Sequence, residues 1–161
     1  MRWDAFQTAC PEIALLARER FAEDEVALLG TVRADGSPRI SPNELDIAAG
    51  HLLLGMMWRS RKALDLLRDP RIAVHSAPQG RMNPAGDVKL YGRGVPIDDP
   101  GLRRAYREAL YRRIAWAPEE PRYHLISVDV TSAGFARFGE DPRVLAWDPE
   151  RGLRELPIPE P

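Results

Sequence analysis

A chain of 161 residues and 18.1 kDa has the length of one compact domain and can bury a core without disulfide or metal staples. Its 23 basic and 24 acidic side chains leave a formal charge of −1, which excludes a global field for nucleic acid or an anionic membrane and makes any anion site local. The single cysteine, Cys10, excludes an internal disulfide and a thiolate cluster, and the longest apolar run, Leu52 to Trp58, is too short to span a bilayer, so a cytoplasmic protein is expected.

Residues 1–22 carry apolar side chains at helical spacing (Phe6, Ile13, Leu16, Ala17), with Pro11 separating a first turn from the helix proper, and predict a covering helix. Val26 to Val32 follows as a strand, Asp35-Gly36 supplies a tight turn, and a return strand is predicted from Pro38 to Ile47. After a turn at Ala49-Gly50, His51 to Trp58 is too short and too well bounded for a helix and predicts a third strand. Ser60 to Arg68 has helical spacing in Ala63, Leu64 and Leu67 and stops before Asp69-Pro70, where proline forbids continuation.

Arg71 to Ala77 predicts the fourth strand, 78–86 a loop rich in turn formers, and Val88 to Ile97 the fifth strand. Asp98-Asp99-Pro100 caps a helix to about Trp116, with Leu102, Tyr106, Leu110 and Ile114 on one face and Arg103, Arg104, Arg107 and Arg112 forming a solvated one. Tyr123 to Val130, extending to Phe138, predicts the sixth strand. Residues 139–161 form a C-terminal extension with an apolar Val144 to Trp147, a turn at Gly152 and a proline-rich end without fixed structure. Short strands joined by hairpin turns point to one domain over 1–161, mainly β with peripheral helices, arranged as a six-stranded antiparallel barrel.

A sheet with one wet face alternates polar and apolar residues, yet Val26 to Val32 and Leu52 to Trp58 are apolar at consecutive positions, so both faces need cover. Either the chain's own helices supply it or a second copy does; a chain this small favours the homodimer. In Trp58-Arg59-Ser60-Arg61-Lys62, Ser60 is a good N-cap and is followed by two cations in the first helical turn, where acidic residues are favoured. An anion held by the exposed N–H groups at that end would reverse the cost, and solvated surface charge is the competing explanation. Gly55, Gly30 and Gly92 interrupt strands where a planar ligand could approach the backbone or where a barrel bends, and Trp58 offers an aromatic surface nearby.

At these residues the chain resembles the pyridoxamine-5′-phosphate-oxidase-like, flavin-binding split-barrel family. The carriers run from Ala27-Leu28-Leu29-Gly30-Thr31-Val32 and Asp35-Gly36-Ser37-Pro38, through Ser60-Arg61-Lys62 with Leu66 and Asp69 to Val74, to Asp87-Val88-Lys89-Leu90-Tyr91-Gly92. The resemblance implies a homodimeric split barrel with two cofactor sites at the subunit interface, each holding FMN or, in related branches, a deazaflavin coenzyme. It implies that Ser60, Arg61 and Lys62 take the phosphate, that Gly55, Met56, Met57 and Trp58 flank the ring system with Pro42 and Asn43 beside them, and that Lys89 falls where an arginine often sits; Arg59, between the two stretches, is expected to contact the cofactor as well. Met56 stands where the family often has threonine, and the oxidases' substrate-binding pattern near the C-terminus is missing, so vitamin B6 oxidation itself is not implied.

The expected activity is flavin-dependent oxidoreduction, in which the ring system performs hydride or electron transfer. The alternatives are a deazaflavin-dependent reductase and a non-catalytic flavin- or haem-binding stress or sensor protein. His51, His75 and His124 are scattered and predict no metal site. Ser41, His75 and Asp129 lack a nucleophile-elbow pattern, Gly92-Arg93-Gly94 reads as a strand bulge rather than a dinucleotide fingerprint, and Trp147 is expected in the core.

Overall fold

The computed structural model describes residues 1–79 and 83–158. The N-terminal segment forms two helices, α1 (Trp3–Ala9) and α2 (Pro11–Glu23), because Pro11 can open a helix at its first position but cannot continue one. Strands β1 (Ala27–Val32), β2 (Pro38–Asn43), β3 (Leu45–Ala48) and β4 (His51–Met57) follow, then α3 (Arg61–Arg68), β5 (Arg71–His75) and β6 (Asp87–Ile97). Helix α4 (Pro100–Ile114) precedes β7 (Tyr123–Arg137), β8 (Arg143–Asp148) and β9 (Gly152–Glu155).

All six expected segments are strands of one antiparallel sheet, in the order β2-β1-β5-β6-β7-β4-β3, with β8 paired to β7 and β9 to β8. The described residues give nine strands rather than six for two reasons. The predicted return strand from Pro38 to Ile47 breaks at Glu44, so that β2 pairs with β1 while β3 pairs with β4. The C-terminal extension, in which the apolar Val144 to Trp147 and the turn at Gly152 were expected but no strands, adds the β8–β9 hairpin. Because the two ends of the strand order, β2 and β3, are consecutive in the chain, the barrel closes through the backbone at Glu44 and is split there. Asn43 bridges the split: its Nδ2 donates to the Glu44 carbonyl at 2.6 Å and to the Gly55 carbonyl of β4 at 2.9 Å.

The barrel interior is filled by alternate residues of the strands, including Leu29, Leu54, Met56, Val74, Leu90 and Val128. Helices α1 and α2 pack on it through Trp3, Phe6, Ile13 and Phe21, and Trp147 joins this core, its ring 5.1 Å from that of Phe6. Helix α3 enters through Ala63 and Leu66 rather than the expected Leu64 and Leu67, which stay partly exposed. Helix α4 covers the outer face of β4 and β7, with Tyr106 and Leu110 on Leu53, Tyr123 and Leu125. Its arginines are only in part a solvated face: Arg103 pairs with Glu120 and lies over the Tyr123 ring, and Arg113 binds Asp46, Leu45 and Asp24.

Among the described residues no helix covers the outer face of β2, β1, β5 and β6. Register places Ile40, Gly30, Ala73 and Tyr91 in one row across it and Pro42, Leu28, His75 and Lys89 in the next. Ile40 is 75% exposed and Tyr91 46%. The register shift between Tyr91 and Gly92 is the expected bulge, where a side chain at Gly92 would strike the Asp129 carbonyl. Of the predicted 78–86 loop, Gly80, Arg81 and Met82 lie outside the described residues, as does the end of the proline-rich tail from 159. No helix among the described residues is long and apolar enough to cross a membrane.

Candidate cofactor site

Strand β4 runs out at Met57, and the chain must turn to start α3. The Ser60 amide donates to the Met57 carbonyl at 3.0 Å, closing a four-residue turn in which Arg59 takes a left-handed φ of +55°. Ser60 then sits at the N-cap, but its hydroxyl caps nothing: among the described residues no side chain accepts from the first turn of α3, and Ser60 Oγ is buried without a hydrogen-bond partner. Arg61 is exposed at the same end and forms no ion pair with the described residues. The helix end therefore offers free N–H groups, an unused hydroxyl and an unpaired guanidinium within one turn.

Lys62 points elsewhere. Its Nζ donates to the Pro42 carbonyl of β2 at 2.5 Å, and burial lowers its pKa against the opposing pull of Glu44. It lines a cleft of about 590 Å³ at the barrel split, together with Pro42, Glu44, Gly55, Met56 and Met57 on one side and Tyr106, Trp116 and Pro118 on the other. Asn43 is buried at the edge of the same split, with its Oδ1 unpartnered. What approaches Gly55 is Tyr106 of α4, whose Oη accepts the Gly55 N–H at 3.0 Å; a Cβ at Gly55 would stand 2.5 Å from that oxygen. Burial pushes the Tyr106 phenol far up, so it remains a neutral hydroxyl.

Trp58 faces a second cleft, of about 480 Å³, whose walls include Asp98, Arg103, Tyr123 and His124, and Arg59 follows it in the turn. The Trp58 ring stacks on the His124 imidazole at 4.5 Å and 8°. Lys89 is exposed on β6, in the row that passes through His75 and Leu28 to Pro42, so it belongs to the uncovered sheet face and not to the α3 corner. Asn43, Gly55, Met56, Met57 and Lys62 are thus brought together at the split, Ser60 and Arg61 beside it, while Trp58, Arg59 and Lys89 lie to either side. Tyr106, Trp116 and Pro118 were not expected from the sequence. Tyr106 appeared there only as one of an apolar helical face, and its mid-strand partner Gly55 is 51 residues away.

The remaining histidines are held locally: His51 Nδ1 lies 2.9 Å from Ser127 Oγ, and His75 Nδ1 lies 2.6 Å from the Ser76 carbonyl. Among the described residues no group of three His, Cys, Asp or Glu side chains converges as a metal site.

The family profile described as pyridoxamine 5′-phosphate oxidase matches residues 16–136. The chain belongs to that family. Solved members and neighbours share the split-barrel fold at low identity. The haem binding protein of Mycobacterium smegmatis is 20% identical with a TM-score of 0.65, covering 84% of this chain and 58% of its own. ChuZ of Campylobacter jejuni is 8% identical with a TM-score of 0.75, covering 91% of this chain and 63% of its own. PhzG of Burkholderia lata 383, solved with tetrahydrophenazine-1-carboxylic acid, is 16% identical with a TM-score of 0.64 and covers 92% of this chain and 91% of its own. The split-barrel chain therefore spans under two thirds of the first two. No curated protein matches it.

Proposed function

We propose that this family member is a cytoplasmic, homodimeric FMN-binding oxidoreductase whose phosphate site is the N-terminus of α3. The observation that carries this reading is the buried Ser60 Oγ without a partner, set beside the unpaired Arg61 at an uncapped helix end. A buried hydroxyl left unsatisfied is costly, and an anion with several acceptor oxygens would satisfy it together with the helix amides. The cleft at the barrel split adjoins that end and has the apolar and aromatic walls that a planar ring system requires, with Asn43 Oδ1 as a free acceptor at its edge.

In this reading Ser60 and Arg61 hold the phosphate, and Arg59 sets the turn that presents them. Gly55, Met56 and Met57 form one wall of the ring site, Lys62 closes the cleft against β2, and Trp58 borders the neighbouring cleft. Bound FMN would supply hydride or electron transfer, so the protein needs to bind, orient and shield rather than to provide an acid–base pair. Lys89, Ile40 and Tyr91 lie on the bare sheet face, which supports a second copy as its cover.

Titration with FMN, followed by flavin fluorescence, tests the site. Arg61→Ala is expected to weaken binding by about ten- to a hundredfold, the range for one charge-assisted hydrogen bond, with unchanged circular dichroism and sedimentation. Equal affinity in the variant would remove the assignment. The absorption of the purified protein separates the remaining readings of the same fold: a flavin spectrum supports FMN, a Soret band would support haem, and binding of a deazaflavin in preference to FMN would move the protein to a reductase of that kind.

A further inference from the structure

The turn that delivers Ser60 and Arg61 is not self-supporting. Arg59 holds a left-handed backbone that a non-glycine residue adopts only when its surroundings fix it. What fixes it is His124, the second residue of β7: the Arg59 N–H donates to His124 Nε2 at 3.2 Å, and the Trp58 ring lies flat on the imidazole. These are two contacts from one side chain to the two central residues of the Met57–Ser60 turn. The donor is a backbone N–H, so Nε2 must carry a lone pair, and the imidazole must be neutral with its proton on Nδ1.

We propose that His124 is a positioning residue for the anion site at α3, and that protonating it releases the Arg59 amide and loosens the grip of Ser60 and Arg61 on a phosphate group. A proton on Nε2 turns the acceptor into a donor facing another donor, so the hydrogen bond is lost and the turn keeps only the Trp58 stack of the two restraints that His124 places on it. The Trp58 stack survives, because a cationic imidazole still lies well on an aromatic face.

The groups around His124 set the pH at which this happens. Burial is the largest influence and disfavours the charged ring; the Arg103 guanidinium from α4 does the same, while Asp98, in the connection between β6 and α4, favours it. The Arg59 side chain and Arg122, which lines the same cleft, add positive charge on the turn and on the approach to β7. The balance lowers the His124 pKa, so the ring is neutral at pH 7 and gains its proton only as the pH falls below its ordinary range.

The inference rests on the reading of α3 as the phosphate site, and its test is built to separate the two. FMN affinity is measured between pH 8 and pH 5 for the wild type, His124→Gln and His124→Phe. Glutamine places an amide oxygen near the position of Nε2 and does not titrate; phenylalanine keeps the stacking surface and has no acceptor. The expected result is that wild type loses about three- to tenfold relative to His124→Gln as the pH falls, the range for one hydrogen bond, whereas His124→Phe is weak at every pH. Comparing variants against one ligand cancels the ionisation of the ligand itself. Parallel curves for wild type and His124→Gln, or wild-type affinity in His124→Phe at pH 8, would overturn the proposal. In the same samples without ligand, NMR follows the Arg59 amide, which is expected to shift with the His124 titration. If the amide shifts and FMN fails to bind, the site assignment fails alone; if it does not shift, the role of His124 fails whatever binds.

Discussion

Gly55 and Tyr106 form a contact in which neither side can be exchanged without loss. Tyr106 reaches from α4 across the outer face of β4, and its Oη takes the strand N–H that a paired strand would otherwise take. Gly55→Ala would place a methyl group inside the van der Waals shell of the phenol, so α4 must shift; a loss of about 1–3 kcal/mol is expected in urea unfolding. Tyr106→Phe leaves room but strands the Gly55 N–H, with an expected loss of about 1–3 kcal/mol. A variant carrying both Gly55→Ala and Tyr106→Phe is expected to lose less than the sum of the two, because the ring carbons Cε1 and Cζ, 2.6 and 2.8 Å from the added Cβ, still force the ring away and so break the same hydrogen bond that phenylalanine removes. From the sequence alone Gly55 marks only a place where something comes close to a strand. Which group comes close is decided by a helix half a domain away, and the same holds for Trp58 and His124.

Helix α3 is short, and no side chain caps its N-terminus, so tertiary contacts must hold it in place. Ala63 and Leu66 provide the apolar part. Asp65 provides the polar part: it is buried, and it accepts from Thr31 Oγ1 of β1 at 3.0 Å and from Arg39 Nε of β2 at 2.6 Å, with Arg68 at 3.6 Å. Burial alone would raise its pKa, but the Arg39 and Thr31 hydrogen bonds and the two guanidinium charges outweigh it and hold the carboxyl below its usual value. A depressed carboxylate contributes stability above its unfolded pKa and loses it as the pH falls through the folded one. Asp65→Asn is therefore expected to cost about 3 kcal/mol at pH 7, since it leaves buried donors facing an amide. The gap to the wild type should narrow below about pH 4 as the wild-type carboxylate takes up its proton. Urea unfolding at pH 7 and pH 3 checks this. The helix itself is legible from Ser60, its spacing and Asp69-Pro70. Its inward face is not, because a buried aspartate breaks the apolar stripe and only the arginines of β2 and of α3 itself explain it.

Seen whole, the molecule covers its β4 and β7 faces with α4 and leaves the β2-β1-β5-β6 face bare. Ile40 and Tyr91, exposed at the two ends of one row across that face, predict that Ile40→Glu lowers self-association, read by sedimentation velocity, with little effect on the unfolding midpoint. A dimer that survives the change would place the interface elsewhere. The sequence by itself determined the strands, the turns at Gly36 and Gly50, the ends of α3 and the family, because these depend on alternation, backbone-permissive residues and local motifs that need no distant partner. It also marked the stretch from Gly55 to Lys62 as the site to inspect. Only the tertiary structure decided that the return strand breaks at Glu44 to split the barrel, that the C-terminal extension joins the sheet, and that Lys62 turns to β2 while Arg61 stays free. It alone set Tyr106 on Gly55 and His124 under Trp58. Those outcomes depend on which residues far apart in the chain meet, and hydrogen bonds and packing at such meetings leave no periodic trace along it.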